Sequence, residues 1–559
     1  MNMNTSIIRL MYAFIGLFLV VSLVMVNVQV FDGSWVVPKG LQAQSGYDPR
    51  LRFASEQPIR GSIFDRNGVK LVWSVRDDNA PCGWRREWNP DAVSAGLAPL
   101  IGYFNCNYGA SGVEAAYNAI LTGSTGQNDQ SQSARQTATN IYNHLLHKQV
   151  QGSDIYLTID LKLQEQANAA YEPISGGGGA ETGGVCQPVG SNPPGSVTVE
   201  NPQTGEILAM LSRPYYDPNR IDDPTYWQQI NSDQSGQPLL NRAAQGLYVP
   251  GSSFKTVTLA AALDTGKTSL DAPYTKAQYF DFVVDGHNFH WDDSFAGSPD
   301  PMTVRQGYAF SVNPIFARVA VDTGQDTWLN YVERFGIAVP GANVPQVPFD
   351  APSAQSSAYP PGAPLDPVTF AASGFGQGDL EITPLTMTEV ASAIGFNGQL
   401  VDPYVVAKVV APNGDVTQTH PQPELYSGGQ QPVVQPQTAA LVRQAMREVV
   451  TYGTAFQGQA VHIADSPAME GGKTGTGQVG DGQLPQTWWI SMAPAVNQSG
   501  QADVNTTANL TVVVMKEHSG EGACQIFVGD DLYKCAAADN DWTPPAALGA
   551  CPVGLKPQG

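Results

Sequence analysis

From Leu10 to Phe31 the chain reads LMYAFIGLFLVVSLVMVNVQVF, 22 positions without a charge. A helix needs about 20 apolar residues to cross a bilayer. The run is too long for the core of a cleavable leader, and no small-residue cleavage site follows it. The pattern predicts an uncleaved transmembrane anchor over 10–31, with residues 1–9 as a cytoplasmic tail marked by Arg9. The bulk of the chain would then lie outside the cytoplasm. Beyond the anchor the apolar runs shorten. QPIRGSIFDRNGVKLVWS (57–74) predicts short strands around an Asn67-Gly68 hairpin turn. Residues 101–124 read as a glycine-rich turn feeding a helix. SDIYLTIDLKLQEQANAAYE (153–172) predicts a strand, then a helix capped by Asp160, with Leu163, Ala167, Ala170 and Tyr171 on one face. A Gly/Pro/Ser-rich stretch from Pro173 to Gly195 has linker composition. It places a boundary between a domain over 32–187 and a larger one over 188–559.

In the larger domain, GSVTVENPQTGEILAML (195–211) reads as two strands joined by a turn at Pro202–Gly205. TWWISMAPA (487–495) and NLTVVVMKEH (509–518) are rich in aromatic and β-branched residues and read as strands. With helices expected between 250 and 460, this predicts an α+β domain: an antiparallel sheet flanked by helices.

Composition narrows the function. The chain has 559 residues, with 29 basic and 50 acidic side chains and a net charge of −21. No basic excess exists to neutralise phosphates, which argues against a nucleic-acid partner. Six cysteines in an exported domain fit disulfides, and no CxxC spacing points to zinc. Six cysteines allow 15 pairings. Cys82–Cys106 and Cys524–Cys535 are the local candidates, which would leave Cys186 with Cys551.

The chemistry concentrates in three short segments. VPGSSFKTVTLAAAL (249–263) sets Lys255 three residues after Ser252, at the head of an apolar helix. A serine is a weak nucleophile without a base beside it, and a desolvated lysine amine can be that base. Pro250-Gly251 leaves Ser252 at the helix start, where its backbone N–H can face an oxyanion. FSVNPIFARVA (310–320) holds Ser311 and Asn313 at the head of another helix. EGGKTGTGQVG (470–480) holds Lys473, Thr474, Gly475 and Thr476, an ammonium and two hydroxyls suited to a carboxylate. Taken singly, each segment also suits a plain role: a capped helix, an N-cap, a polar hairpin.

The order Ser-x-x-Lys, Ser-x-Asn, Lys-Thr-Gly resembles the signature of penicillin-binding proteins. PGSSFK is close to their first motif, and GKTGT with TWWISMAPA to the third and its neighbouring strand. GFGQGDLEITPLTMTEVASAI (374–394) is similar to their G-Q-G segment, and RGSIFDRNG with YGASGVEAAYNAILTGS to the class B pedestal. The resemblance covers Arg60 to about Met515 and looks closest to the actinobacterial elongation or division branch. It implies the penicillin-binding fold carried on an elongated, mainly β pedestal. It also implies a peptidoglycan D,D-transpeptidase of the bacterial cell membrane, acylated at Ser252 by stem peptides ending in D-Ala-D-Ala and trapped by β-lactams. Lys255 would take the serine proton, and Ser311 and Asn313 would relay protons and hold the donor amide. Lys473, Thr474 and Thr476 would grip the terminal carboxylate, and the N–H groups of Ser252 and Thr476 would form the oxyanion hole. No metal or cofactor is implied. The implied partner is a SEDS-type glycosyltransferase, because 31–190 is short for a polymerase domain and lacks its Glu-Asp motif.

Other functions stay in view. A membrane-anchored β-lactamase would need a water-activating Glu, yet DTWLN (326–330) offers Asp and belongs to an amphipathic helix. A D,D-carboxypeptidase would share the whole site. A non-catalytic scaffold for a glycosyltransferase would not need all three motifs. The histidine pairs in HLLH (144–147) and DGHNFHWDD (285–293) read as loop polarity, the second near the active-site mouth, and no Gly-x-Ser-x-Gly elbow offers Ser252 a histidine.

Overall fold

The computed structural model describes residues 3–26, 59–123, 151–171, 193–292, 298–359, 366–457 and 468–552, except 81, 233–235, 421, 422, 427, 429, 481, 521, 540, 545 and 549. HLLH and most of the 173–195 stretch lie outside these residues.

A five-stranded antiparallel sheet organises the larger domain. Its order is Gly471–Gly477, Gln486–Ala493, Leu510–Lys516, Gly195–Asn201, Glu206–Arg213. The expected strands at 195–211, 487–495 and 509–518 are all members, and Gly205 turns the first pair at φ 77°. All eight residues of Gln486–Ala493 but the first are buried, as are all seven of Leu510–Lys516. Such central strands bury both faces. The helix Pro384–Gly395 packs on one face, where Gly395 meets Met492. Ile526–Ala538 packs on the other, where Gly529 abuts Trp489, and Leu161–Tyr171 lies beside it. Asp160 accepts the N–H of Leu163 at 3.0 Å, so the expected cap is present. The face it starts is apolar as read: Leu163, Ala167, Ala170 and Tyr171 are all buried.

A second, six-stranded sheet forms the base. Its order is Val416–Thr419, Val406–Val410, Asp154–Leu157, Ile63–Phe64, Lys70–Arg76, Trp84–Trp88. The Asn67-Gly68 turn joins two of these strands, with Gly68 at φ 85°. Short helices such as Pro90–Ser94, Ala98–Ile101 and Gly112–Ala116 pack here too, so the base is α+β rather than mainly β. Two strands of this sheet come from 406–419, deep in the larger domain's chain. One apolar core also crosses the junction, joining Leu71, Trp88 and Ile155 to Ile207, Met210 and Val405. Beneath it Glu114, 1% exposed, takes Arg60 and Arg86 on its two carboxylate oxygens at 2.7 and 2.6 Å. A carboxylate left alone at that depth would cost several kcal/mol, so the triad holds as a unit.

Two corrections concern cysteines and histidines. Cys82 bonds Cys106 as expected, but Cys535 bonds Cys551, which overturns both the Cys524–Cys535 and the Cys186–Cys551 expectations. Cys524 and Cys535 are eleven residues apart along one helical run, roughly 16 Å. Disulfide-bonded Cα atoms lie within about 7 Å. The HNFH segment is not a loop but half of a hairpin, Asp281–Val284 paired with His287–His290. It turns at Asp285-Gly286, both with positive φ. DTWLN lies in the helix Gln325–Arg334, with Trp328 buried, as expected.

At the N-terminus Met3–Val26 is helical. Among the described residues no helix is long and apolar enough to cross a membrane. Several side chains of this helix are not among them.

Two carboxyl groups meet where sheet and helix pack. Glu200 and Glu389 are at most 1% exposed, and the charge of one is felt by the other. Burial pushes Glu200 up to about 8 and Glu389 well up, the latter also repelled by Glu200. The folded pair therefore holds protons that the unfolded chain releases near 4.5. Its contribution to stability is complete below that value and is lost as pH rises through about 8. Glu389→Gln is expected to stabilise the protein at pH 9 by on the order of 1–3 kcal/mol and to change little at pH 4.5, read from thermal melts at both.

Candidate active site

The serine segment is not an α-helix at its start. Gly251–Phe254 is a 3-10 turn, and Lys255 opens the α-helix Lys255–Asp264. Three residues per turn eclipse positions i and i+3. This sets the Lys255 Nζ 2.8 Å from the Ser252 Oγ. The neighbouring Ser253 turns inward: it is fully buried and donates to the Pro250 carbonyl at 2.7 Å.

The turn fits its place because three glycines leave room. Gly251 adopts φ 54°, and a Cβ there would fall 2.4 Å from the Thr476 carbonyl carbon. A Cβ on Gly475 would fall 2.7 Å from the Pro250 oxygen, and one on Gly376 would fall 1.7 Å from the Gly251 oxygen. The edge strand Gly471–Gly477 is thus covered by the serine turn, backbone against backbone. The Trp488 indole donates to Val249 O at 2.9 Å and ties the turn to the next strand.

The second motif sits between two helices, Val304–Ala309 and Asn313–Thr323. Ser311 links them with φ 62°. A serine in that region costs about 1–3 kcal/mol, a strain found chiefly where function over-determines the backbone. The bend aims three oxygens at one amine. Lys255 Nζ donates to Ser311 O at 2.8 Å and to Asn313 Oδ1 at 2.7 Å, and Ser311 Oγ lies 3.2 Å away. Two of these, Ser311 O and Asn313 Oδ1, have no proton to give, so they occupy two N–H groups. In the neutral amine the remaining lone pair faces the Ser252 hydroxyl.

The third motif arrives on the edge strand. Lys473 Nζ donates to Ser311 Oγ at 3.0 Å and to Thr474 O at 3.0 Å. Ser311 Oγ therefore stands between two lysines, both 0% exposed. Burial, and then repulsion by Lys473, holds Lys255 well below the ordinary lysine value. Burial lowers Lys473 to about 7. The rings of Phe316 and Phe375 lie 5.7 and 5.9 Å from the Lys255 Nζ, and Tyr308 lies 5.6 Å from that of Lys473. These rings keep water from the amines.

Ser252, Lys255, Ser311, Asn313 and Lys473, drawn from three distant segments, therefore meet in one hydrogen-bonded cluster. Thr474, Gly475 and Thr476 continue along the strand beside it. Three neighbours lie outside the three motifs. Gln377 donates to Thr476 O at 3.1 Å. Phe375 faces Lys255 and packs edge-on against Phe289 of the hairpin at 5.5 Å, which sets the hairpin beside the cleft. Thr454 shares a hydrogen bond with Thr474 Oγ1 at 2.8 Å. The G-Q-G segment was a signal for the first two; nothing local marked Thr454.

Comparison with known proteins supplies the family. Residues 195–508, more than half of the chain, match the penicillin binding protein transpeptidase domain, and 60–155 match the penicillin binding protein A dimerisation domain. The chain is 30% identical to the peptidoglycan D,D-transpeptidase PbpA of Mycolicibacterium smegmatis, over 88% of its own length and 91% of that protein's. Penicillin-binding protein A of M. tuberculosis, solved as a ceftriaxone acyl-enzyme complex, superposes with a TM-score of 0.67 at 24% identity, covering 86% of this chain and 99% of that one. A D,D-transpeptidase domain from Eggerthella lenta superposes with 0.66 at 24% identity, covering 87% and 99%. The three-motif cluster, the family match over its sheet and helices, and a relative of nearly full length carry one conclusion: this chain belongs to the penicillin-binding protein transpeptidase family.

Proposed function

We propose that the chain is a serine D,D-transpeptidase that cross-links peptidoglycan stem peptides through an acyl-enzyme on Ser252. The observation that carries this is the single amine of Lys255, held between the Ser252 hydroxyl and the Ser311–Asn313 pair. Lys255 takes the proton of Ser252 as Oγ attacks the carbonyl of the penultimate D-Ala. The oxyanion rests on the N–H groups of Ser252 and Thr476. The C–N bond breaks, and the departing D-Ala amine regains the proton from Lys255 by way of Ser311. An amine from a neighbouring stem peptide then attacks the ester, loses its proton along the same path and frees Ser252. Asn313 holds the donor amide. Lys473, Thr474 and Thr476 bind the terminal carboxylate, and a β-lactam enters by the same acylation.

The full-length chain, given a donor ending in D-Ala-D-Ala and an amine acceptor, is expected to release D-Ala and form the cross-linked product. Hydrolysis alone, at every acceptor concentration, would turn the reading to a carboxypeptidase. No D-Ala release and no penicillin adduct would leave the scaffold.

The cell envelope is the place of action. Residues 10–31 would anchor the chain: the helix Met3–Val26 exposes Phe14, Leu17 and Phe18 along its side. Residues 32–187 would serve as the pedestal and 188–559 as the transpeptidase domain. The anchor and pedestal would contact a multi-span SEDS-type glycosyltransferase that polymerises the strands.

A further inference from the structure

Thr474, a residue 6% exposed, lies beside the cluster, with its hydroxyl 3.5 Å from Lys473 Nζ. To bind a carboxylate it must donate its one proton outward. Its other partner is the hydroxyl of Thr454, at 2.8 Å. Thr454 opens the short helix Thr454–Gln457, just after the long helix Pro436–Thr451. Its position is held from both sides. A Cβ on Gly453 would fall 2.4 Å from Ala309 O and 2.8 Å from Val449 Cα, so only glycine allows this approach. Tyr452 packs on Phe310, next to Ser311, with ring centres 5.7 Å apart, and its hydroxyl donates to Glu448 at 2.7 Å.

We propose that Thr454 is a positioning residue for carboxylate recognition: its hydroxyl donates to Thr474 Oγ1 and so turns the Thr474 proton toward the carboxylate of the incoming acyl donor. A hydroxyl has one proton and two lone pairs. When Thr454 fills a lone pair of Thr474, the Thr474 proton is left for the ligand. Without Thr454 that proton can point elsewhere, and the site spends part of its binding on orienting it. The proposal rests on the reading of Thr474 as a carboxylate residue.

The test compares benzylpenicillin with its methyl ester on the full-length chain, following acylation by intact mass. Thr454→Val is expected to slow acylation by the free acid about tenfold, the worth of one hydrogen bond, and to leave the ester within about twofold of wild type. Thr454→Ser, which keeps the hydroxyl, is expected to restore the acid rate. Equal losses on acid and ester would show mere structural damage and overturn the proposal. An unchanged acid rate in Thr454→Val would overturn it as well. If wild type forms no adduct with either compound, the transpeptidase reading fails instead.

Discussion

Ser252→Ala is expected to form no covalent adduct with penicillin and to lose D,D-transpeptidation by about 10⁴-fold or more, as removal of a nucleophile does in other acyl-transfer enzymes. The adjacent serine sharpens this test. Ser253 is chemically the same and one position away, yet its hydroxyl is buried and bonded to Pro250 O. It has no lysine beside it. Ser253→Ala should therefore still be acylated, at the cost of one buried hydrogen bond, about 1 kcal/mol of stability. Peptide mapping of the adduct separates the two. An adduct that survives in Ser252→Ala would remove Ser252 from the mechanism.

Lys255→Met is expected to slow acylation by about 10²–10⁴-fold, the usual worth of a general base, while the protein stays folded. Stability and activity should part here. The amine is 0% exposed and beside a second buried lysine. Burying an amine costs free energy that a methionine of similar length does not incur. The melting temperature of Lys255→Met should equal or exceed that of wild type, a stability–activity trade common at active sites. Arginine should not rescue the rate, since a guanidinium keeps its proton across the working range. A near-normal acylation rate in Lys255→Met would assign the base to another group.

The cluster was legible in the sequence because its parts are short. Ser252 with Lys255, Ser311 with Asn313, and Lys473 through Thr476 each carry their chemistry within four positions. Their convergence is another matter: Lys255 meets Ser311 across 56 residues and Lys473 meets Ser311 across 162. Only the family resemblance anticipated that meeting. The local pattern also left out what depends on tertiary pairing. VVAKVV and DVTQT in 405–419 are rich in β-branched residues, as strands are, but that does not say which sheet they join. They join the base, across the boundary the linker composition suggested. The hairpin at 281–290 had a usable signal in Asp285-Gly286, outweighed by the polarity of HNFH. The 3-10 turn at Ser252 could not be read either, since Pro-Gly-Ser-Ser suits an α-helical start equally well. It is the tighter turn that lines up hydroxyl and amine.

The central claim is that Lys255 is a neutral amine when it meets Ser252. It is tested most directly by the rate constant for acylation of wild type by a β-lactam, measured across pH 5 to 11. An amine held well below 10.5 is already the free base at mildly alkaline pH. The rate is expected to rise and level off well short of 10.5, with that rise absent in Lys255→Met. A rate that keeps climbing through about 10.5, as for a lysine in water, would mean that Lys255 is charged in the resting enzyme and would contradict the account.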